Sequence, residues 1–171
     1  MSFVRQSEEV YVSDADITTV SAADIAFLKA RAAENPRRRV RLCAHRDVSD
    51  TLHEMLIVHM KGTYVQPHKH VAKSESFHII EGRLKILLFD DAGRHTRTIQ
   101  LSEPAGGASF FYRLASPTFH SVVPETDFVV FHEVTNGPFD RRETVAAAWA
   151  PKDDDAAAGT RFLNDFLRVS R

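Results

Sequence analysis

The apolar positions of the 171-residue chain change their period near Arg37. Before it, Ile25, Leu28 and Ala32 recur at helical spacing. Ser21 stands where a helix N-cap belongs, and Asp24 where a capping box places its acid. Asn35-Pro36 ends that helix, because proline cannot continue it. After Arg37 the period falls to two. "RVRLCAH", "MLIVHM", "SFHII", "RLKILLF", "HTRTIQL", "ASFFYRL", "HSVV" and "FVVFHEV" are short, rich in β-branched or aromatic residues, and separated by turn signals. "FDDAGRH" places Gly93 for the positive φ of a hairpin turn, and "IIEGRL" is a second tight connection. About eight short strands over roughly 100 residues predict an all-β sandwich or barrel. No strand–helix alternation appears after Arg37.

The ends read differently. Residues 1–20 form an arm with one short strand at "EVYVS". "PKDDDAAAGT" is a polar, small-residue linker. "TRFLNDFLRVSR" then spaces Phe162, Leu163, Phe166 and Leu167 along one helical stripe. That stripe is expected to pack on its own barrel, with docking onto a partner subunit as the alternative. The division is therefore 1–37, arm and helix; 38–152, barrel; and 153–171, linker and helix.

Composition narrows the function classes. Lys+Arg number 22 against 23 Asp+Glu, a formal net charge of -1. Such a balance gives no footprint for nucleic acid and no pull toward anionic membranes. No apolar run reaches the ~20 residues of a membrane span, and the first residues lack the apolar core of a secretory signal. Cys43 is the sole cysteine, which excludes an internal disulfide and a thiolate zinc finger. A reducing cytoplasm is the expected setting.

One stretch carries candidate chemistry. "GTYVQPHKHVAKSESFHIIEG", Gly62 to Gly82, holds three histidines and two glutamates within sheet-like sequence. Residues two apart on a strand share a face, so His68 and His70 project together. The four residues after His70 are enough to turn the chain and bring Glu75 beside them. If Glu75 faces inward, Phe77 and Ile79 do too, and His78 points away. A fourth ligand must come from another strand, and "ASPTFHSVV" offers His120. Three imidazoles and a carboxylate suit iron, nickel, zinc, copper or manganese, and are too nitrogen-rich for calcium or magnesium. Four protein ligands on an octahedral ion leave two positions for water, substrate or O₂.

The spacing Gly62-x5-His68-x-His70-x4-Glu75-x6-Gly82 resembles the first motif of the cupins at every fixed position. The second cupin motif is degenerate. His120 matches, but Ala115, Pro117 and Pro124 replace its proline, glycine and asparagine, so the turn before His120 must be built differently. With "RVRLCAH", "GRLKILLFDDAGR", "HEVTNGPFD" and "AAWAPKD", the segment 38–152 is similar to cupin metalloproteins of the WbuC type. The resemblance implies a jelly-roll barrel holding one divalent transition metal (Fe, Zn, Ni or Mn) on His68, His70, Glu75 and His120. It also implies a link to bacterial surface-polysaccharide gene sets.

Around this centre, Arg41 of "NPRRRVR" is a candidate anion clamp, while the run as a whole suits a charged, solvated edge. Tyr64 is a candidate hydrogen-bond donor to a metal-bound group. His132 and Glu133 lie on opposite faces of one strand, so at most one lines the barrel, and an inward His132 could act as acid or base. His45, His53, His59 and His95 are expected to be packing or surface residues, and Cys43 to be a packing residue. The leading function is a metal-dependent enzyme, a dioxygenase or isomerase, acting on a small sugar-like or organic-acid substrate. Glu75, His132 and Tyr64 are its catalytic candidates. A non-catalytic, metal-containing binding module is the alternative, and a purely structural metal a third reading. A homodimer is expected.

Overall fold

The structure, a computed structural model, describes residues 3–169. The period-two region resolves into two sheets packed face to face. The larger contains β1 (Phe3–Arg5), β2 (Val10–Ser13), β3 (Arg39–Cys43), β4 (Leu52–Met60), β11 (Phe128–Asn136), β6 (Glu75–Glu81) and β9 (Phe111–Leu114), side by side in that order. The smaller contains β12 (Thr144–Ala146), β5 (His68–His70), β10 (Phe119–Pro124), β7 (Arg83–Phe89) and β8 (His95–Ser102). All eight strands expected from the sequence are present. The arm's second strand, β2, also forms where expected, while β1 and β12 are three-residue edge strands with too little pattern to announce themselves. The chain carries no helix long and apolar enough to cross a membrane among the described residues.

Between β2 and β3 runs α1 (Ala22–Glu34), and those two strands pair in parallel, so the helix is a crossover. The capping box is formed: Ser21 Oγ accepts from the Asp24 N–H, and the Asp24 carboxylate accepts from the Ser21 N–H at 2.8 Å. At the far end the Asn35 N–H donates to the carbonyls of Arg31 and Ala32, and the backbone turns extended before Pro36. Leu28 and Ala32 pack on Val40, Leu42, Val58 and Val130, the outward face of the larger sheet.

The second helix, α2 (Ala156–Val169), covers the outer face of the smaller sheet. Leu163 is buried there with Leu87, Phe89 and Phe119, and Phe162 and Phe166 pack at the margin with Trp149. The apolar stripe thus closes on its own barrel. The helix begins at Ala156, inside the stretch expected to be a linker. Asp155 supplies the reason, because its carboxylate accepts from the Ala158 N–H at 3.0 Å as an N-cap. Gly159 lets the helix approach: a Cβ there would sit 2.3 Å from the Tyr64 ring.

With a helix over each sheet, β7 is apolar on both faces from Ile86 to Phe89. Inside the sandwich, Leu84, Ile86, Leu101, Ile79, Val129 and Phe131 form a closed core with Phe77 and Val122. At Gly82 (φ +84°), between β6 and β7, a Cβ would meet the Phe128 carbonyl at 2.4 Å, so only glycine fits this turn.

Candidate metal centre

Opposite the Gly82 end, the same strands surround a cavity of about 960 Å³. The period-two alternation decides what faces it. On β5, His68 and His70 point in while Lys69 points out, its ammonium 4.6 Å over the Phe119 ring. His120 on β10 pairs directly with His68, so both come from the smaller sheet at one level. Despite the altered turn before it, His120 is placed by this register. Thr144 and Ala146 of β12 flank His70 and His68 on the other side.

Glu75 arrives from the opposite sheet. Residues 71–74 carry the chain across, pinned by Val71 N–H to Glu143 O (2.9 Å), Thr135 Oγ1 to Ser74 O (3.0 Å) and Ser74 N–H to Asn136 Oδ1 (3.0 Å). The Glu75 carboxylate then lies 3.0 Å from His120 Nε2 and 3.5 Å from His70 Nε2. Phe77 and Ile79 follow it inward, and His78 is exposed on the outer face against Phe110.

The side-chain nitrogens are set for coordination. His68 Nδ1 donates to the Gln66 carbonyl at 2.9 Å, and His120 Nδ1 to the Thr118 carbonyl at 3.0 Å. A carbonyl only accepts, so in the neutral ring both protons sit on Nδ1 and both Nε2 lone pairs are free. His70 Nδ1 lies 3.1 Å from Thr144 Oγ1, which can hold the same tautomer. One ring nitrogen from each of the three histidines falls within 4.8 Å of the others, so the cluster can hold a metal ion. Glu75 Oε1 is buried, and its approach to His120 is not aligned as a hydrogen bond. Three converging lone pairs and an unsatisfied carboxylate oxygen are a donor set that fits a divalent transition ion.

Electrostatics agree with that reading. Burial pushes His68 down to about 4, with the neighbouring His120 acting in the same direction. Burial would raise the Glu75 carboxyl, but the charge of His120 beside it leads the opposing effects that outweigh this and hold Glu75 low. His120 is the counterpart: burial lowers it, and Glu75 more than reverses this. A proton on His120 and a cation therefore compete for one place.

The remaining candidates separate cleanly. Arg41 shares the inward face of β3 with Arg39 and Cys43 and lines the cavity. Arg37 and Arg39 are engaged by Glu9 and Asp153, whereas Arg41 makes no direct ion pair among the described residues. Of the pair on β11, His132 faces away, 3.7 Å from the Glu54 carboxylate, and Glu133 faces the cavity. The inward acid–base group is thus a carboxylate and not the imidazole of His132. Tyr64 is also displaced from the role expected of it. Its ring is buried under α2, and its hydroxyl donates to Pro151 O at 2.6 Å. His53 and His59 line the cavity as buried rings, His59 pushed down to about 3 by burial and by Arg41, and His45 stacks on His53 at 4.0 Å. Glu133 entered the sequence reading only as the alternative to His132, and the register of β11 against β4 and β6 is what turns it inward.

The fold is the cupin jelly roll. Protein SO0799 from Shewanella oneidensis matches with a TM-score of 0.51 at 15% identity, over 62% of this chain and 72% of that one. CapF, a capsular polysaccharide assembling protein from Staphylococcus aureus, matches at 0.51 and 16%, over 63% of this chain and 31% of its own. A cupin superfamily protein from Desulfitobacterium hafniense matches at 0.45 and 13%, over 57% and 76%. Residues 20–101 match the model of a family described as a domain of unknown function (DUF6016), a span that holds His68, His70 and Glu75 and stops short of His120. No curated protein matches the chain in sequence.

Proposed function

We propose that the chain is a metal-dependent cupin enzyme acting on a small anionic, oxygen-bearing substrate such as a sugar derivative or organic acid. The observation that carries this reading is the tautomer lock on the cluster: the Nδ1 protons of His68 and His120 are held by backbone carbonyls, leaving their Nε2 atoms free beside Glu75. A bound divalent ion would supply Lewis-acid polarisation of a substrate oxygen. The chain's own groups would do the rest. His68, His70, Glu75 and His120 hold the ion, and Arg41 binds the anionic group through its guanidinium fork. The apolar wall of Met55, Ile57 and Phe131 excludes water and strengthens those charges.

The surface-polysaccharide setting implied by the WbuC resemblance, the cytoplasmic location expected from the lone Cys43 and the homodimer expected of a cupin barrel belong to the same reading. A monomer by light scattering at working concentration would remove the last of these. The test of the core reading is elemental analysis of protein purified without chelator or His-tag. About one transition ion per chain is expected, lost in His68→Ala and His120→Ala. Metal-free protein that also fails to take up Mn²⁺, Fe²⁺, Ni²⁺ or Zn²⁺ overturns it.

A further inference from the structure

The strand register orders the polar groups of the cavity along the larger sheet. Glu75, Thr135 and His53 form one inward-facing row across β6, β11 and β4. The next row is Phe77, Glu133, Met55 and Cys43, and the third is Ile79, Phe131, Ile57 and Arg41. Successive rows lie about 6.7 Å apart along the strands. Glu133 therefore sits one step beyond the metal row and one step before Arg41. Its cross-strand neighbours, Phe77 and Met55, give it no hydrogen bond, and no side chain among the described residues forms an ion pair with it. It keeps partial exposure, into the cavity. A carboxylate placed among apolar rings, unpaired and facing a cavity, costs stability unless it has other work.

We propose that Glu133 is the proton-transferring residue of this site, and that the substrate is a hydroxy-carbonyl compound whose carboxylate or phosphate is clamped by Arg41. The inference rests on the metal-dependent reading above. The step balances within the chain and its substrate. The Glu133 carboxylate takes the proton from the carbon next to the carbonyl. The C–H electron pair becomes the C=C bond of an enolate, and the carbonyl π pair moves onto oxygen. Glu133 returns the proton to the former carbonyl carbon while the proton of the neighbouring hydroxyl passes to the enolate oxygen, so that the hydroxyl carbon becomes the new carbonyl and the compound is isomerised. No oxidant is consumed. This puts isomerase chemistry ahead of the oxygen-inserting alternative, which leaves Glu133 without a task.

The test uses Mn²⁺-loaded full-length protein in D₂O. Glucuronate and glucose-6-phosphate are the two probes, and separate a carboxylate from a phosphate as the clamped group. NMR follows loss of the C–H signal beside the carbonyl. Calorimetric binding of oxalate, a chelating dianion, gives a readout independent of turnover. Wild type is expected to exchange one of the two probes. Glu133→Gln is expected to lower exchange by at least about 100-fold while keeping stoichiometric Mn²⁺ and oxalate binding within about threefold of wild type. Arg41→Met is expected to weaken oxalate by about tenfold or more. Wild-type exchange in Glu133→Gln overturns the proposal, as does a wild type that binds Mn²⁺ and oxalate yet exchanges neither probe. Failure to bind Mn²⁺ at all instead sinks the metal reading, and the proposal falls with it.

Discussion

The two ends of the barrel interior share strands and differ in nearly every inward side chain. Along β11 the inward positions run Val129, Phe131, Glu133, Thr135; along β6 they run Ile79, Phe77, Glu75; along β10, Val122 then His120. One end is a sealed apolar plug, and the other a cavity lined with titratable groups. A strand is stiff over this length, and its apolar half is gripped by both sheets. The plug therefore fixes where the polar half must point, so few contacts at the open end are needed to hold the ligands in place. The polar end is then free to carry groups that do not favour folding, such as Glu133, which burial and the Glu75 charge push up to about 8.

The sharpest way to break this division is at His120. In metal-free protein His120→Ala leaves the buried Glu75 carboxylate without its main partner, at a cost of roughly 3–5 kcal/mol. It should also abolish stoichiometric metal. His78→Ala, on the exposed face of β6, should move stability by less than about 0.5 kcal/mol and keep the metal. Urea unfolding and elemental analysis of the two variants check this, and equal metal loss in both would contradict the facing of β6.

At the plug, Ile86→Ala removes a fully buried side chain. It should cost about 2–5 kcal/mol while the folded fraction still binds one ion. A large stability loss accompanied by lost metal affinity would show that the ends are mechanically coupled and not merely joined.

Parity explains which parts of this were legible in the sequence. His68, His70, Glu75 and the outward His78 follow from alternation alone, and the α1 capping box from two residues, Ser21 and Asp24. Alternation could not say which face of β11 is inward, because Val129, Val130 and Phe131 are all buried under α1 or in the core. His132 and Glu133 stayed equivalent until pairing with β4 and β6 set the register. Tyr64 departs from its expected place for a related reason: whether a residue beside the motif faces the cavity depends on α2, whose contact through Gly159 has no local signal.

Acid should separate the ends next. His59 is pushed down to about 3 and His68 to about 4, chiefly by burial, so both rings stay neutral in the fold at pH values where unfolded histidines, near 6.5, take protons. The unfolded chain then binds more protons, and stability should fall as pH drops from about 6.5 toward 4. Glu75, held low by His120, adds to the loss at the acid end. His120 has the opposite sign: its pKa is raised, so its contribution is present below about 6.5 and fades as pH climbs through the raised value. Metal-free protein should thus lose stability on both sides of a maximum. Saturating metal replaces the His120 proton and should shrink the alkaline decline to the part left by Glu133, whose raised carboxyl loses its contribution as pH climbs toward about 8. Urea midpoints across pH, with and without Mn²⁺, measure this, and an unchanged alkaline limb would place the ion elsewhere.

The smallest effect probes how finely the polar end is held. Thr144 reaches the site only through its Oγ1, 3.1 Å from His70 Nδ1, on an edge strand of three residues. Thr144→Val keeps the shape and removes the hydroxyl, so His70 loses the partner that fixes its ring and tautomer. Metal affinity should drop by about 10–100-fold with little change in the unfolding midpoint of metal-free protein, and Thr144→Ser should restore it. If the valine variant binds metal as tightly as wild type, the pairing of His70 with Glu75 is enough to orient the ring. The carbonyl locks on His68 and His120, which no side-chain substitution can remove, would then account for the tautomer control of the cluster.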